Sequence, residues 1–396
     1  QADSLRRSMA AWKRKGGVSM FREAIIRGMV GNGYEEAFAE SIFQQMEGFG
    51  EYGFPESHAA SFALLAYASA WLKCHHPQAF LAALLNSHPM GFYSASQLVQ
   101  DAVRHGVTVL PVDVSCSGWE ARVIRLDAEG EEAGGSTAAT GKPPASSTAA
   151  GNTRTDSRLL SVLGVRLGMK QIKGLSQEAA KRIESARAQQ PFSSLADLVQ
   201  RAGPSRRDVE ALAAADALRS LAGDRRQAAW GAATTSVPGD LLQQADVAEY
   251  APRLAQPSEA QEIVADYRSL SLTLRRHPLA LLRGHLTTQR YHAAQALHDL
   301  ANGRRVRACG MVVGRQRPGT ANGTVFVTLE DETGSLNVIV WPGLADKQRR
   351  ELLGSRLMGV YGVWQNESGV RHLVAHRLFD LSSLLGELPA RSRDFH

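Results

Sequence analysis

A chain of 396 residues has room for two to four domains with ample core, and its 45 Lys+Arg against 39 Asp+Glu leave a formal charge of +6. It has no signal-peptide-like apolar region and no run of about 18 residues free of polar groups, which argues against a secreted precursor or a helical membrane protein and for a soluble, cytoplasmic chain that makes no use of a membrane. Cys74, Cys116 and Cys309 are odd in number and far apart, so they form neither a disulfide framework nor a zinc pattern and fit a reducing compartment.

The chain opens as helix at Gln-Ala-Asp-Ser-Leu-Arg-Arg without an initiator Met, and the expectation is a C-terminal piece of a longer protein. Residues 1–47 read as two or three helices joined at Gly16-Gly17 and Gly31-Asn32-Gly33. Arg6, Arg7, Lys13, Arg14, Lys15, Arg22 and Arg27 crowd this region; such a set either holds phosphates or forms a solvated face. The stretch from Gly48 to Pro77 begins as a glycine- and aromatic-rich turn. Past Pro55, Ser57 is a good N-cap for a helix. Phe62, Leu65, Tyr67, Ala68, Trp71 and Leu72 are too dense for a one-sided surface helix, so burial in a larger body is expected. Glu51, Tyr52 and His58 would gather at its N-terminus, a natural place for an anionic group.

A helix over 77–87 follows, with Pro77 in its first turn. Cys74-His75-His76 lacks a second ligand cluster and is read as a helix end, not a metal site. A helix from Ser96 to His105 and an alternating strand, Val107–Val114, define a small α/β unit over 91–127. Residues 128–157 are dominated by Gly, Ala, Ser, Thr and Pro and are expected to be a disordered insertion. Arg158–Leu167 resumes as a strand pairing back across it.

Residues 158–230 hold thirteen Lys/Arg against seven Asp/Glu, a surplus equal to that of the whole chain. A concentrated basic module suggests a polyanionic partner. Within it, Gly168-Met-Lys-Gln-Ile-Lys-Gly-Leu-Ser reads as a helix end, a hairpin at Gly174, an inward Leu175 and an N-cap at Ser176, flanked by Lys173 and Lys181. This is either a helix-hairpin-helix, which grips a nucleic-acid backbone without reading sequence, or an ordinary turn between helices. A degenerate second copy runs from Val209 to Leu221. Asp216 stands there in the hairpin-glycine position and would repel phosphate, so that copy is read as structural. Over 231–303 come a linker, a helix over 257–267 and a polar helix over 290–301. Gln295-Ala-Leu-His-Asp-Leu is faintly similar to clamp-docking peptides but lacks their aromatic end.

The C-terminal part alternates apolar and polar residues in five segments: Val306–Gln316, Thr324–Asp331, Ser335–Trp341, Leu357–Asn366 and Arg371–Leu378. A helix over 343–353 lies between the third and fourth, and this order predicts an OB-fold. Phe326, Trp341, Tyr361 and Trp364 are candidate stacking faces, though several must fill the barrel, and Arg315, Arg317 and Arg371 are candidate backbone contacts. The fold class is thus multidomain α+β.

GEYGFPESHAASFALLAYASAWLK, SLTLRRHPLALLR and the closing Ser-Arg-Asp-Phe-His closely resemble bacterial C-family DNA polymerases, the class of the DNA polymerase III alpha subunit, and specifically their error-prone, damage-inducible branch. The resemblance implies a DNA-directed DNA polymerase of translesion synthesis and induced mutagenesis. It implies the order fingers (1–90), α/β unit (91–127), insertion (128–157), tandem helix-hairpin-helix domain (158–230), linker and helices (231–303), OB-fold (304–381) and tail (382–396). It implies that the Mg2+-binding carboxylates lie in a palm domain upstream, so this chain is expected to bind no cofactor or metal and to be inactive alone. Lys13, Arg14, Lys15, Tyr52, His58 and Lys73 would then face incoming dNTP and template. Lys173, Gly174, Leu175, Ser176 and Lys181 would hold the primer-template duplex, and the OB module, with Arg315, Arg317, Phe326 and Trp364, would meet single-stranded template or a partner protein. Accessory mutagenesis proteins, and through them the sliding clamp, are the implied partners. The alternatives are a replicative polymerase of the same family and a non-enzymatic DNA-binding scaffold.

Overall fold

Turn and cap residues divide the chain into helices much as their chemistry requires. The computed structural model describes residues 21–52, 56–91, 93–127, 130–132, 163–234, 254–319, 321–367, 369–389 and 393–395, in two compact units, Gln1–His76 and Pro77–His396. In the first unit, α1 (Arg22–Gly31) stops at Asn32-Gly33, where Gly33 takes φ +88°. Helix α2 (Glu36–Tyr52) runs through Gly48 and Gly50, so the expected glycine-rich turn is helical as far as Tyr52, and its remainder lies outside the described residues. A glycine inside a helix costs about 1 kcal/mol and does not by itself end one. Helix α3 (Glu56–His75) starts before Ser57, which sits inside the first turn and is not the N-cap. Within this chain α3 is not buried: Leu64 is 73% and Tyr67 74% exposed, and Phe62, Leu65, Trp71 and Leu72 are exposed as well.

The second unit opens with α4 (Pro77–Asn86) and α5 (Ala95–Arg104), the latter started by a capping box between Ser94 and Gln97. Strands β1 (Thr108–Leu110), β2 (Arg122–Arg125) and β3 (Leu163–Arg166) form a sheet in the order β1-β3-β2, β3 running parallel to β1 and antiparallel to β2. The chain does pair back across the insertion. Its strand Val107–Val114 is cut to three residues because Pro111 donates no ladder hydrogen bond. Of the 128–157 segment only residues 130–132 are described, and there Glu132 pairs with Arg122 and Arg166 (2.7 and 2.6 Å); the rest of that expectation lies outside the described residues.

Helices α6 (Gln177–Gln189), α7 (Leu195–Ala202) and α8 (Arg206–Ala214) each begin at a serine, Ser176, Ser194 and Ser205, whose side chain accepts an amide of the first turn. Short α9 (Arg219–Ala222) and α10 (Arg225–Thr234) complete the domain. Its core joins that of the small sheet through Val165, Leu167, Met169, Ile183, Leu198 and Leu212.

Helices α11 (Glu259–Ser269) and α12 (Pro278–Thr288) lead to the barrel. The helix expected over 290–301 is absent; only a 3-10 turn, Gln295–Leu297, forms there. Carboxylate and hydroxyl groups of a barrel turn take the amides instead: Ala294 donates to Asp331 Oδ2 (2.7 Å) and Gln295 to Thr333 Oγ1 (3.0 Å). Leu297 is fully buried in the barrel core.

Strands β4 (Arg305–Gln316), β5 (Val325–Glu330) and β6 (Ser335–Val340) precede the short helices α13 (Pro342–Lys347) and α14 (Arg349–Gly354); β7 (Leu357–Glu367) and β8 (Val370–Asp380) follow. The order β5-β6-β8-β7-β4 closes through β4–β5, and β6 runs parallel to β8, so the five strands and the intervening helices make the predicted OB-fold barrel. The tail returns to it: β9 (Arg393–Phe395) pairs parallel with Gly314–Gln316.

Candidate nucleic-acid interface

The first hairpin follows a 3-10 turn, Met169–Gln171, because only a few residues separate β3 from Gly174; no α-helix precedes it. Gly174 takes φ +86° with open space where a Cβ would stand, so another backbone can approach it closely. Leu175 is buried in the domain core and positions the hairpin without facing a ligand.

The cations and amides around Gly174 are partly committed elsewhere. Lys173 Nζ donates to the carbonyls of Tyr267 and Arg268 (3.0 Å each), and its amide to that of Ser269 (2.9 Å). It therefore caps the C-terminus of α11, where a cation is favoured. Ser176 does cap α6, but its amide donates to Asp208 Oδ1 (3.0 Å). Burial pushes the Asp208 carboxyl up, yet hydrogen bonds from Ser205 and Ser176 outweigh it and hold the group below the usual range. A protein carboxylate thus occupies one of the donors expected to meet phosphate. What remains at the hairpin is the open Gly174 backbone, the first amides of α6 and exposed Lys181.

The second hairpin is built as its sequence suggests. Asp216 takes φ +59° in the glycine position and accepts from Arg275 (3.2 Å) and Arg219 (3.4 Å). Burial raises its carboxyl above the ordinary value against the pull of Arg225, Arg219 and Arg275. It holds the domain together and offers no phosphate site.

On the barrel, two of the expected contacts prove internal. Trp364 is 1% exposed and fills the core; its even-numbered parity with Val360 and Gly362 turns it inward. Arg315 is 5% exposed, with Nε on the Leu352 carbonyl (2.6 Å), Nη2 on that of Ser355 (2.6 Å) and Nη1 near Asp394 (3.2 Å). It ties α14 and β9 to β4, and neither residue can meet a nucleic acid.

Phe326 and Arg317 do face outward. Phe326 on β5 is 39% exposed and pairs with Ile339 on β6; Trp341, continuing that face two residues on, is 54% exposed. Arg317 lies by the same end, its Nη2 3.4 Å from where a Cβ on Gly323 would stand, next to Pro342. One aromatic pair, one guanidinium and the polar pair Thr328–Asn337 (3.4 Å) make a wall suited to stacking unpaired bases. Trp341, a candidate stacking face in the sequence without an assigned role there, shares odd-numbered parity with Asn337 and Ile339, which is the signal for it.

Lys73 lies on exposed α3. Lys13, Arg14 and Lys15 lie outside the described residues, as do the side chains of Tyr52 and His58. Among the described residues no group of three or more His, Cys, Asp or Glu is placed to hold a metal ion, and no helix is long and apolar enough to cross a membrane.

A hairpin domain feeding a closed five-stranded barrel defines a helix-hairpin-helix and OB-fold protein. Residues 106–228 match the family model of the helix-hairpin-helix motif, and residues 306–381 that of the OB-fold nucleic acid binding domain. Over its entire length the chain is 55% identical to the error-prone DNA polymerase of Bordetella parapertussis, 54% to that of Burkholderia pseudomallei and 55% to that of Dechloromonas aromatica. Along its whole length the chain is thus similar to a portion of proteins named error-prone DNA polymerase. It spans 35%, 34% and 35% of the length of those relatives.

Proposed function

We propose that this chain is the DNA-handling portion of a DNA-directed DNA polymerase that copies damaged templates in the cytoplasm. Duplex backbone rests on Gly174, the α6 N-terminus and Lys181, and unpaired template crosses Phe326, Trp341 and Arg317. The observation that carries this reading is the identity of more than half of its residues, along its whole length, to proteins named error-prone DNA polymerase. The open glycine at the hairpin and the exposed aromatic pair on the barrel support the division of labour. Lys13, Arg14, Lys15, Tyr52, His58 and Lys73 are the proposed neighbours of the incoming dNTP. Parts of such a polymerase that this chain does not span would cover the apolar faces of α3. The Mg2+ that phosphoryl transfer uses would need carboxylates that the described residues do not gather, so no step is assigned to them. Accessory mutagenesis proteins and a sliding clamp are proposed partners; buried Leu297 argues that Gln295–Leu300 is not the clamp contact.

Anisotropy with labelled single-stranded and duplex DNA tests the assignment. Phe326→Ala with Trp341→Ala should cost about 1–3 kcal/mol per lost stack on single strands and leave duplex binding unchanged. Gly174→Val with Lys181→Glu should weaken duplex binding and flatten its salt dependence. Unchanged affinities in both pairs would refute the two sites. Primer extension across an abasic template by the whole polymerase tests translesion synthesis; no product beyond the lesion would count against it.

A further inference from the structure

A groove of about 600 Å3 opens where the segment after α12 crosses the first strand of the barrel. Arg290, His292, Arg304, Arg305, Arg307 and Tyr361 line it, and no carboxylate does. The cations are held by backbone geometry. Arg305 and Arg307 flank buried Val306 on the outward face of β4, about 6.8 Å apart along the strand. Arg307 stands opposite Tyr361 of β7. Arg290 turns at φ +63°, and the His292 amide donates to the Arg307 carbonyl (2.8 Å), fixing the crossing segment beside β4.

Several other arginines of this half of the molecule are paired, whereas the contact of Arg307 Nη1 with the Gln289 carbonyl is a long one (3.5 Å). Arg225, Arg275 and Arg283 meet carboxylates, and Arg315 meets Asp394. No ion pair among the described residues joins Arg290, Arg304, Arg305 or Arg307 to an acid, although four like charges around one groove repel one another. A bound polyanion would remove that repulsion. The half-buried ring of Tyr361 among the guanidinium groups adds a flat apolar face, and a cationic track with an aromatic in it suits bases that are not paired.

We propose that this groove binds a single-stranded nucleic acid, its phosphates on the four arginines and one base on Tyr361. The site lies on the β4–β7 wall, whereas Phe326 lies on β5 and Trp341 just past the end of β6. It rests on the reading of the chain as DNA-binding but uses none of the same residues, so the two assignments fail separately.

The test is anisotropy of the 396-residue chain with fluorescein-labelled oligothymidylate over a salt series. Arg305→Ala with Arg307→Ala should raise Kd about tenfold and lower the log–log salt slope by about 1.4, two phosphates at roughly 0.7 each. Arg305→Lys with Arg307→Lys should keep the slope. Tyr361→Ala should weaken binding about fivefold or more and Tyr361→Phe should not. Should the alanine pair lower the melting temperature, Arg290→Ala with Arg304→Ala, outside the β4–β7 ladder, replaces it with the same expected loss. Unchanged affinity and slope overturn the site. So does an arginine-dependent loss for heparin and duplex alike with Tyr361→Ala inert, which would mark a general polyanion surface. If Phe326→Ala with Trp341→Ala is silent while the arginine pair is not, the β5–β6 assignment falls and this one stands.

Discussion

Removing Arg225 should unlock the second hairpin from the helix that leads to the barrel. Arg225 is buried, with Nη1 on Glu262 Oε2 and on the Glu262 carbonyl (3.1 Å), and Nη2 on Asp266. Asp266 Oδ2 also accepts from Thr273 Oγ1 (2.6 Å), and Arg275 reaches Glu262 (2.9 Å), Asp216 (3.2 Å) and Asp266 (3.4 Å). Breaking a buried pair from one side costs about 3–5 kcal/mol because a charge is left without its partner. Arg275 stays behind to serve both acids, which places Arg225→Ala near the lower end, about 3 kcal/mol. Urea unfolding followed by the fluorescence of Trp230, on the same helix as Arg225, reads that loss. Adding Asp266→Ala should cost less than the sum of the two single changes, a coupling of about 1–3 kcal/mol. Arg276→Ala is the control: its bridge to Glu259 is exposed, and such pairs contribute under about 1 kcal/mol. A loss below about 1 kcal/mol for Arg225→Ala, or additive effects with Asp266→Ala, would refute the network as a source of stability.

Glu332→Gln should destabilise the barrel near neutral pH. Burial pushes the Glu332 carboxyl up, but Arg283 more than offsets it (Nη2 to Oε2, 2.9 Å) and holds the group below its ordinary range. A depressed folded value gives stability that is present above the unfolded value of about 4.3 and lost as pH falls through the folded one; a gap between protein and variant that persists undiminished at pH 3 would contradict this. Burial pushes the Cys309 thiol up to about 12, whereas Cys74 is exposed. A disulfide reagent at pH 8 should therefore modify Cys74 in the folded chain and Cys309 only after unfolding, and equal rates would be the contrary result. Gly362→Ala should lower the barrel's melting temperature, at a cost of about 1–3 kcal/mol or more, because its Cβ would stand 2.0 Å from the Val374 carbonyl; an unchanged melting temperature would show that β7 and β8 part freely.

The barrel was legible because each strand end carries its own chemistry. Asn322-Gly323 turns at φ +48° and +80°, and the Glu332–Gly334 turn is closed by Asp331 accepting from Thr333 and Gly334. Along β7 the same reasoning runs out. Val360, Gly362 and Trp364 face in while Tyr361 and Val363 are only half-buried, yet both sets are apolar, so alternation alone does not say which aromatic is core. The polar segment 290–301 has helix-forming composition but loses its amides to Asp331 and Thr333, partners some 37 residues away that no local pattern contains. Helix α3 shows the converse: its apolar residues lie all round, as in a buried helix, and within this chain they stay exposed.

Charge was the property that sequence position located least well. The surplus in 158–230 suggested a basic face, but much of it is spent inside the fold. Arg182 donates to the carbonyls of Ala202 and Gly203, Arg187 to those of Val114 and Ser117, Arg201 to those of Ala186 and Gln190, and Lys170 to that of Asn86. Each such cation ties a helix end or a loop and presents few donors to a phosphate. Arg290, Arg304, Arg305 and Arg307 make no comparable cluster by count, because they come from a turn after one helix and from the start of a strand. Only the pairing of His292 with the β4 backbone sets them around one groove. A linear charge sum measures how many cations a module contains; affinity for a polyanion depends on how many of them the carbonyls and carboxylates of the fold have left unclaimed.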